Sequence, residues 1–335
     1  MTDPTPSTSP LRIAIVGAGA IGGHFAARLA AAGHAVSMLA RGDTLTALQL
    51  HGLRYTSGDQ PQQQWPVQAF GDTADMGPQD LVILSVKSQA LPAVAPTLAP
   101  LLHDETVVMP VGNGIPWWFF LVPGQPLSPL RLHSVDPGGA IERAIALPRV
   151  LAGTIMASCH CPELGVVVHS AGGRVTVGEP LGGHSARAEA WSRLLADAGL
   201  GASTSADIRA ELWLKLLGNV SSNPLSLLTG VTTDRMLDDP GMRALFANMM
   251  NECIALGRTL GLTIATDAEQ RMAQTRKFGA IRSSMLQDLE AGRSVELDAI
   301  LGAPIECARA AKQPVPYLEA VFALACMRAS SAGLR

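Results

Sequence analysis

Leu11-Arg-Ile-Ala-Ile-Val16 runs directly into Gly17-Ala-Gly19-Ala-Ile-Gly22, and then into His24-Phe-Ala-Ala-Arg-Leu-Ala-Ala-Ala32. The first run is short, apolar and rich in β-branched residues, the pattern of a buried strand. The last is rich in alanine and ends at Gly33, the pattern of a helix with a glycine stop. Ala35-Val-Ser-Met-Leu39 follows as a second strand. The glycines therefore stand where a strand turns into a helix. Gly17 permits the tight turn, Gly19 lets a pyrophosphate approach the backbone, and Gly22 lets helix and strand pack closely. Ala20 and Ile21 open the helix, whose first N–H groups and positive dipole end face the turn. In this context the spacing points to a dinucleotide.

The second strand bears on which dinucleotide. An NAD site places Asp or Glu about 20 residues on, to hold the ribose 2′-hydroxyl. This strand ends Met38-Leu-Ala-Arg41, with no acid at its tip. Arg41 suits a 2′-phosphate. Asp43, two residues further, is the one feature that favours NAD. The charge argument selects NADPH.

Outward from this unit, Leu81–Val86 and Thr106–Met109 read as further buried strands, followed by Val150–Ala157, Gly165–His169 and Arg174–Val177. Their short spacing suggests that the later strands pair antiparallel. Ala186–Ala198 reads as a helix. From about Asp207 the character changes. The stretches 208–218, 241–260, 268–292, 295–311 and 315–329 all carry helical periodicity. The fold class is α/β: a Rossmann-type nucleotide-binding domain followed by an all-α domain. The expected spans are a loose tail at 1–10, an NADP-binding domain at 11–206 and a helical substrate and catalytic domain at 207–335.

A length of 335 residues predicts about two domains. With 47% hydrophobic and 16% charged residues the chain has the composition of a folded protein. Lys plus Arg number 25 and Asp plus Glu 28, a net of −3. So even a balance supplies neither a basic field for nucleic acid nor a polybasic membrane face. Five cysteines do not form an even disulfide framework, and a reducing compartment is the natural setting. Cys159-His160-Cys161 alternates faces along a strand and cannot close around one ion unaided, so no metal is expected. Residues 1–10 lack a basic start and an apolar run and do not read as a signal peptide. The longest uncharged run, Thr106–Leu130, is broken by Pro110, Pro116, Pro123, Pro126 and Pro129. It is not one continuous helix. A cytoplasmic protein is expected, with a small-molecule substrate, no nucleic-acid or membrane partner, and a homodimer as its assembly.

In Ile208-Arg-Ala-Glu-Leu-Trp-Leu-Lys215-Leu-Leu-Gly-Asn219-Val-Ser-Ser-Asn223-Pro224 three polar residues recur every four positions. On a helix Lys215, Asn219 and Asn223 form one stripe. A lysine among so many apolar neighbours is costly to bury without a purpose or a partner. The bland alternative is a surface lysine, or one paired with Glu211. Pro224 is expected to end or kink the helix, placing Asn223 at that point. In Ser283-Ser-Met-Leu-Gln-Asp288, Ser284 and Asp288 share a face, and Ser294 is placed to cap a helix with Glu296 in its first turn.

These segments together resemble the ketopantoate reductase family. The likeness rests on Val16-Gly-Ala-Gly-Ala-Ile-Gly22, Ser85-Val-Lys87, Asn113-Gly-Ile115, Arg209–Lys215 through Asn223-Pro-Leu225, Ser283–Asp288, and Glu296-Leu-Asp298. They span nearly the whole chain after the tail. The resemblance implies NADPH-dependent reduction of 2-dehydropantoate (ketopantoate) to pantoate, in pantothenate biosynthesis. It implies Lys215 as general acid and Glu296 as the residue that holds the substrate hydroxyl. Ser284, Asn219 and Asn223 would bind the carboxylate and nearby polar atoms. Asn113 and Lys87 would line the nicotinamide end, and Arg41 would take the 2′-phosphate.

Pro116-Trp-Trp-Phe-Phe120 departs from the family pattern. It holds four of the chain's 14 aromatics (5 Trp, 2 Tyr and 7 Phe). It is packed core or a subunit contact, or else a cleft wall suited to a bulkier keto acid. Three other functions therefore stay open: reduction of another branched or aromatic 2-keto acid, a β-hydroxyacid dehydrogenase, or a non-catalytic NADP sensor. A nucleophile elbow and paired metal-binding histidines are lacking, which argues against hydrolase and metalloenzyme chemistry.

Overall fold

The computed structural model describes residues 10–277 and 279–335; most of the expected tail, residues 1–9, lies outside them. In chain order the elements begin with β1 (Arg12–Val16), α1 (Ala20–Ala31), β2 (Ala35–Leu39) and α2 (Gly42–His51). β3 (Leu53–Ser57), β4 (Gln63–Trp65), β5 (Gln68–Phe70) and β6 (Leu81–Leu84) follow. Then come the short α3 (Leu91–Val94), β7 (Val107–Pro110), the short α4 (Ala140–Ala144), β8 (Ala152–His160) and β9 (Val166–Gly178). α5 (Ala186–Asp197) and β10 (Ala202–Thr204) precede a run of helices. These are α6 (Ile208–Thr229), α7 (Thr233–Asp238), α8 (Pro240–Thr259), α9 (Ala268–Arg276), α10 (Ser284–Glu290), α11 (Ala303–Ala310) and α12 (Pro316–Ser331).

The chain forms two compact units. Of the described residues, one holds those up to Val86 with Ala93–Gly112 and Arg143–Ile208; the other holds Lys87–Pro92, Asn113–Glu142 and those from Arg209 on.

In the first unit a parallel sheet has the order β5-β2-β1-β6-β7. Ile13 to Val16 and Leu81 to Leu84 are all buried, as expected of central strands covered on both faces. The chain builds outward from β1 through β2 and β5, then returns to the other side with β6 and β7. That reversal sets a topological switch point at the carboxyl ends of β1 and β6, where such sheets bind ligands. Phe25 and Leu29 of α1 join Ile13, Ile15, Met38 and Ile83 in the core. A second sheet has the order β10-β9-β3-β4, with β8 also on β9. β8 and β9 pair antiparallel as the spacing suggests, while β3 and β10 join β9 in parallel. The two strands expected at 165–169 and 174–177 are one continuous strand, β9.

The second unit is helical. α8 is capped by Asp239, α9 by an Asp267/Gln270 capping box, and α10 by Ser283, whose Oγ accepts from the Leu286 N–H at 3.1 Å. The periodic stretch 268–292 is two helices, α9 and α10. In the stretch 295–311 a π-helical turn at Asp298–Gly302 precedes α11. Of the two places expected for Asn223, the helix end is ruled out: α6 runs through Pro224 to Thr229, so Asn223 sits inside it. Pro224 has no N–H to offer the Val220 carbonyl one turn back, and three nearby hydroxyls donate to other carbonyls of the helix. Ser222 donates to the Gly218 carbonyl (2.7 Å), Ser226 to that of Asn223 (2.9 Å) and Thr229 to that of Leu225 (2.8 Å).

Candidate functional site

The glycine turn between β1 and α1 has the shape a pyrophosphate needs. Gly17 has φ +115°, and a Cβ there would lie 2.7 Å from the Val86 nitrogen. At Gly22 a Cβ would lie 1.9 Å from the Gly17 carbonyl oxygen and 2.5 Å from Ser85 Oγ. At Gly19 it would meet nothing within 4 Å. Two glycines are thus required by close packing and one borders open space. Ser85 fixes the turn by donating to the Gly17 carbonyl at 2.9 Å. Gly19 is the N-cap of α1, which carries no acid in its first turn. Its unsatisfied N–H groups and positive end fit an anionic phosphate. Ala20 and Ile21 begin that turn. Arg41 follows β2 as the exposed N-cap of α2. Its guanidinium has no ion pair among the described residues. Asp43 lies in the first turn of α2.

In the second unit a polar network gathers residues far apart in the chain. Gly114 approaches the Ala299 backbone, where a Cβ would sit 2.2 Å from the Ala299 oxygen, and the Ile115 N–H donates to that oxygen at 3.0 Å. This close approach brings Asn113 to Glu296. Asn113 Nδ2 donates to Glu296 Oε2 at 3.1 Å, while the Ser88 N–H donates to Oε1 at 3.0 Å. Asn219 Nδ2 reaches Asn113 Oδ1 at 3.5 Å. Lys215 lies one turn before Asn219 on α6 and is half-buried. Burial of its amino group lowers its pKa from 10.5 to about 8, and the nearby Glu296 carboxylate opposes that shift. No ion pair joins Lys215 to Glu211 among the described residues. A partly desolvated ammonium near a fixed carboxylate and two amides can donate a proton to an oxygen bound among them.

Lys87 has other partners. Its Nζ lies 2.7 Å from Asp288 Oδ2 and donates to the Ser294 carbonyl at 2.6 Å. Asp288 is buried and also accepts from Arg293 Nε at 3.0 Å. Ser294 is not a helix cap, because the helical run starts at Leu297; its Oγ accepts from Gln89 Nε2 at 2.9 Å. Glu296 therefore precedes the helix, aimed by Ser88 and Asn113. Ser284 opens α10 and is exposed. Asn223 is buried, and its Oδ1 accepts from Ser222 Oγ at 3.2 Å. Sequence reasoning gave no site role to the Ser88 N–H, Gln89 or the Asp288 pairing. Only the Ser85-Val-Lys87 motif pointed to this segment.

The aromatic cluster is core. Trp117, Trp118, Phe119 and Phe120 are all buried. Phe119 packs on Phe120 and Trp213, with the Arg209 guanidinium 4.5 Å from its ring centroid. Burial pushes the Cys159 thiol up to about 12, and the neighbouring Cys161 adds to this. Among the described residues no group of three or more His, Cys, Asp or Glu side chains is placed to hold a metal ion. None of their helices is long and apolar enough to cross a membrane.

A switch-point glycine cradle and a helical unit bearing a lysine whose pKa is lowered by burial suit a class, the oxidoreductases that use a nicotinamide nucleotide. Residues 13–117 match the family model "Ketopantoate reductase PanE/ApbA" and residues 207–329 match "Ketopantoate reductase PanE/ApbA C terminal". The chain is 41% identical over 315 residues to the 2-dehydropantoate 2-reductase of Mesorhizobium japonicum, covering 94% of this chain and 96% of that one. A crystal structure of a candidate ketopantoate reductase from Ralstonia solanacearum MolK2 superposes with TM-score 0.93 and 42% identity, covering 98% of this chain and all of that one. The 2-dehydropantoate 2-reductase of Geobacter metallireducens GS-15 has TM-score 0.83 and 26% identity, with 95% and 99% covered. This chain belongs to the ketopantoate reductase family.

Proposed function

We propose that the chain reduces 2-dehydropantoate to pantoate with NADPH, with Lys215 as general acid. The observation that carries this is the Glu296–Asn113–Asn219 network beside a lysine whose pKa burial has lowered to about 8. NADPH, when bound, would supply the hydride that the ketone carbon accepts. As that carbon becomes tetrahedral, negative charge gathers on its oxygen. The Lys215 ammonium stabilises the charge and passes its proton to the oxygen, giving the hydroxyl. Asn113 and Asn219 orient the keto acid. The Glu296 carboxylate, held by two donors, keeps lone pairs for the substrate's own hydroxyl. Asn223 and Ser284 serve the carboxylate.

The Rossmann-type unit is the nucleotide domain of this reading. Gly17, Gly19 and Gly22 with Ala20 and Ile21 cradle the pyrophosphate, and Arg41 holds the 2′-phosphate. Lys87, occupied by Asp288 and Ser294, acts at the nicotinamide end through the segment that carries Ser88. Burial of the Trp117–Phe120 cluster removes the observation that pointed to a bulkier keto acid. Assembly as a homodimer belongs to the same proposal and is read by light scattering on gel-filtered protein. NADPH oxidation is followed with ketopantoate, 2-ketoisovalerate and phenylglyoxylate. Highest kcat/KM on ketopantoate supports the reading, and preference for either other acid overturns it.

A further inference from the structure

The polar stripe on α6 does not stop at Asn223. Because the helix continues through Pro224, Ser226 falls 11 positions after Lys215, three turns on along the same face at 3.6 residues per turn. Ser226 is fully buried. Its Oγ bonds the Asn223 carbonyl at 2.9 Å and also the hydroxyl of Ser283, itself buried. Ser283 is the N-cap of α10: its Oγ accepts from the Leu286 N–H at 3.1 Å, and its carbonyl accepts from the Gln287 N–H at 3.0 Å. The next residue is Ser284. One buried hydroxyl pair thus ties the helix that carries Lys215, Asn219 and Asn223 to the first turn of the helix that carries Ser284.

We propose that Ser226 is a positioning residue for the keto-acid carboxylate, acting through Ser283 to hold Ser284 in register with Asn223. The proposal rests on the reading of Asn223 and Ser284 as carboxylate contacts. Two buried hydroxyls in direct contact have a single good arrangement, since a shift of either helix leaves a buried polar group unpaired. α10 is only seven residues long and its first turn depends on this cap for its place. The pair therefore fixes the spacing of two substrate-binding groups that come from chain segments about 60 residues apart (Asn223 and Ser284). It makes no contact with the reacting carbon, so it acts on substrate binding and not on the chemical step.

The test is steady-state kinetics on Ser226→Ala, Ser226→Thr, Ser284→Ala and Ser226→Ala/Ser284→Ala, with an NADPH fluorescence titration and a thermal melt for each. Ser226→Ala should raise KM for ketopantoate by roughly fivefold to tenfold, the usual scale of one lost hydrogen bond, with kcat and NADPH affinity nearly unchanged. Ser226→Thr, which keeps the hydroxyl, should restore KM. In the Ser284→Ala background Ser226→Ala should add nothing to KM. An unchanged KM in folded Ser226→Ala, or an equal rise in the Ser284→Ala background, overturns the coupling. An unchanged KM in Ser284→Ala removes the carboxylate reading instead. Where Ser226→Ala fails to fold, Ser226→Cys keeps the volume, weakens the donor and is read by the same criteria.

Discussion

Glu296→Ala should separate two substrates that differ by a hydroxymethyl group. Glu296 Oε1 takes the Ser88 N–H at 3.0 Å and Oε2 takes Asn113 Nδ2 at 3.1 Å. Each oxygen retains a lone pair, and a hydroxyl donating to one of them makes a charge-assisted bond. Truncation to alanine has two consequences. Ser88 and Asn113 lose an acceptor, which loosens the network for every substrate. The hydroxyl loses its own acceptor, which matters only to ketopantoate. The ratio of kcat/KM for ketopantoate to that for 2-ketoisovalerate, which lacks the hydroxyl, cancels the first effect. It should fall by about 1–3 kcal/mol, or roughly fivefold to 150-fold. Initial rates of NADPH oxidation with both acids give the ratio. An unchanged ratio would refute the assignment and leave Glu296 as a support for Ser88 and Asn113 alone.

Three further outcomes follow from the geometry. Arg41→Ala should weaken NADPH by ~1.5–3 kcal/mol and leave NADH nearly untouched; equal losses in fluorescence titrations contradict the 2′-phosphate contact. With Lys215 titrating near 8, its ammonium is full below that value. The rate of reduction should therefore fall as pH rises through about 8 and that of the reverse oxidation should rise, and a pH profile without that inflection argues against the lysine. His24 is buried, its Nδ1 is 2.9 Å from the Tyr55 hydroxyl, and its ring lies 4.5 Å from that of His169. Burial, with His169 and Arg28 nearby, lowers its pKa from 6.5 to about 3. The folded state resists a proton that the unfolded chain accepts. Stability is then full above pH 6.5 and is lost as pH falls from there towards 3, by up to ~1.4 kcal/mol per pH unit. His24→Leu should flatten that decline in thermal melts.

The first βαβ unit is legible because its signals are local. Glycine spacing, β-branched runs and an alanine-rich helix each sit within a dozen residues, and β2 spans the residues expected of it. Residues 42–80 carry no such signal. β4 and β5 are three residues each and begin with glutamine, too short and polar for a period of two to show. They are strands because β3 and β2 offer them partners, which is tertiary information. Pro224 misleads for a related reason. The proline penalty is intrinsic, whereas the burial of Val220, Ser221, Leu225 and Ser226 around it is context. The candidate site divides in the same way. The Lys215–Asn219–Asn223 stripe follows from helical spacing, but the bond from Ser88 to Glu296 spans 208 positions and no periodicity announces it. Lys87 illustrates the remainder. Its place in a motif was readable; its partners Asp288 and Ser294 were not.

The central claim is that Lys215 delivers the proton, and Lys215→Ala tests it most directly. Steady-state turnover with ketopantoate is measured beside an NADPH titration and a thermal melt. The account predicts a loss in kcat of about 10²–10⁴-fold with NADPH affinity nearly unchanged. It also predicts a folded protein, since alanine favours the helix and removes a partly desolvated cation. Near-normal turnover in a folded variant that binds NADPH would contradict it.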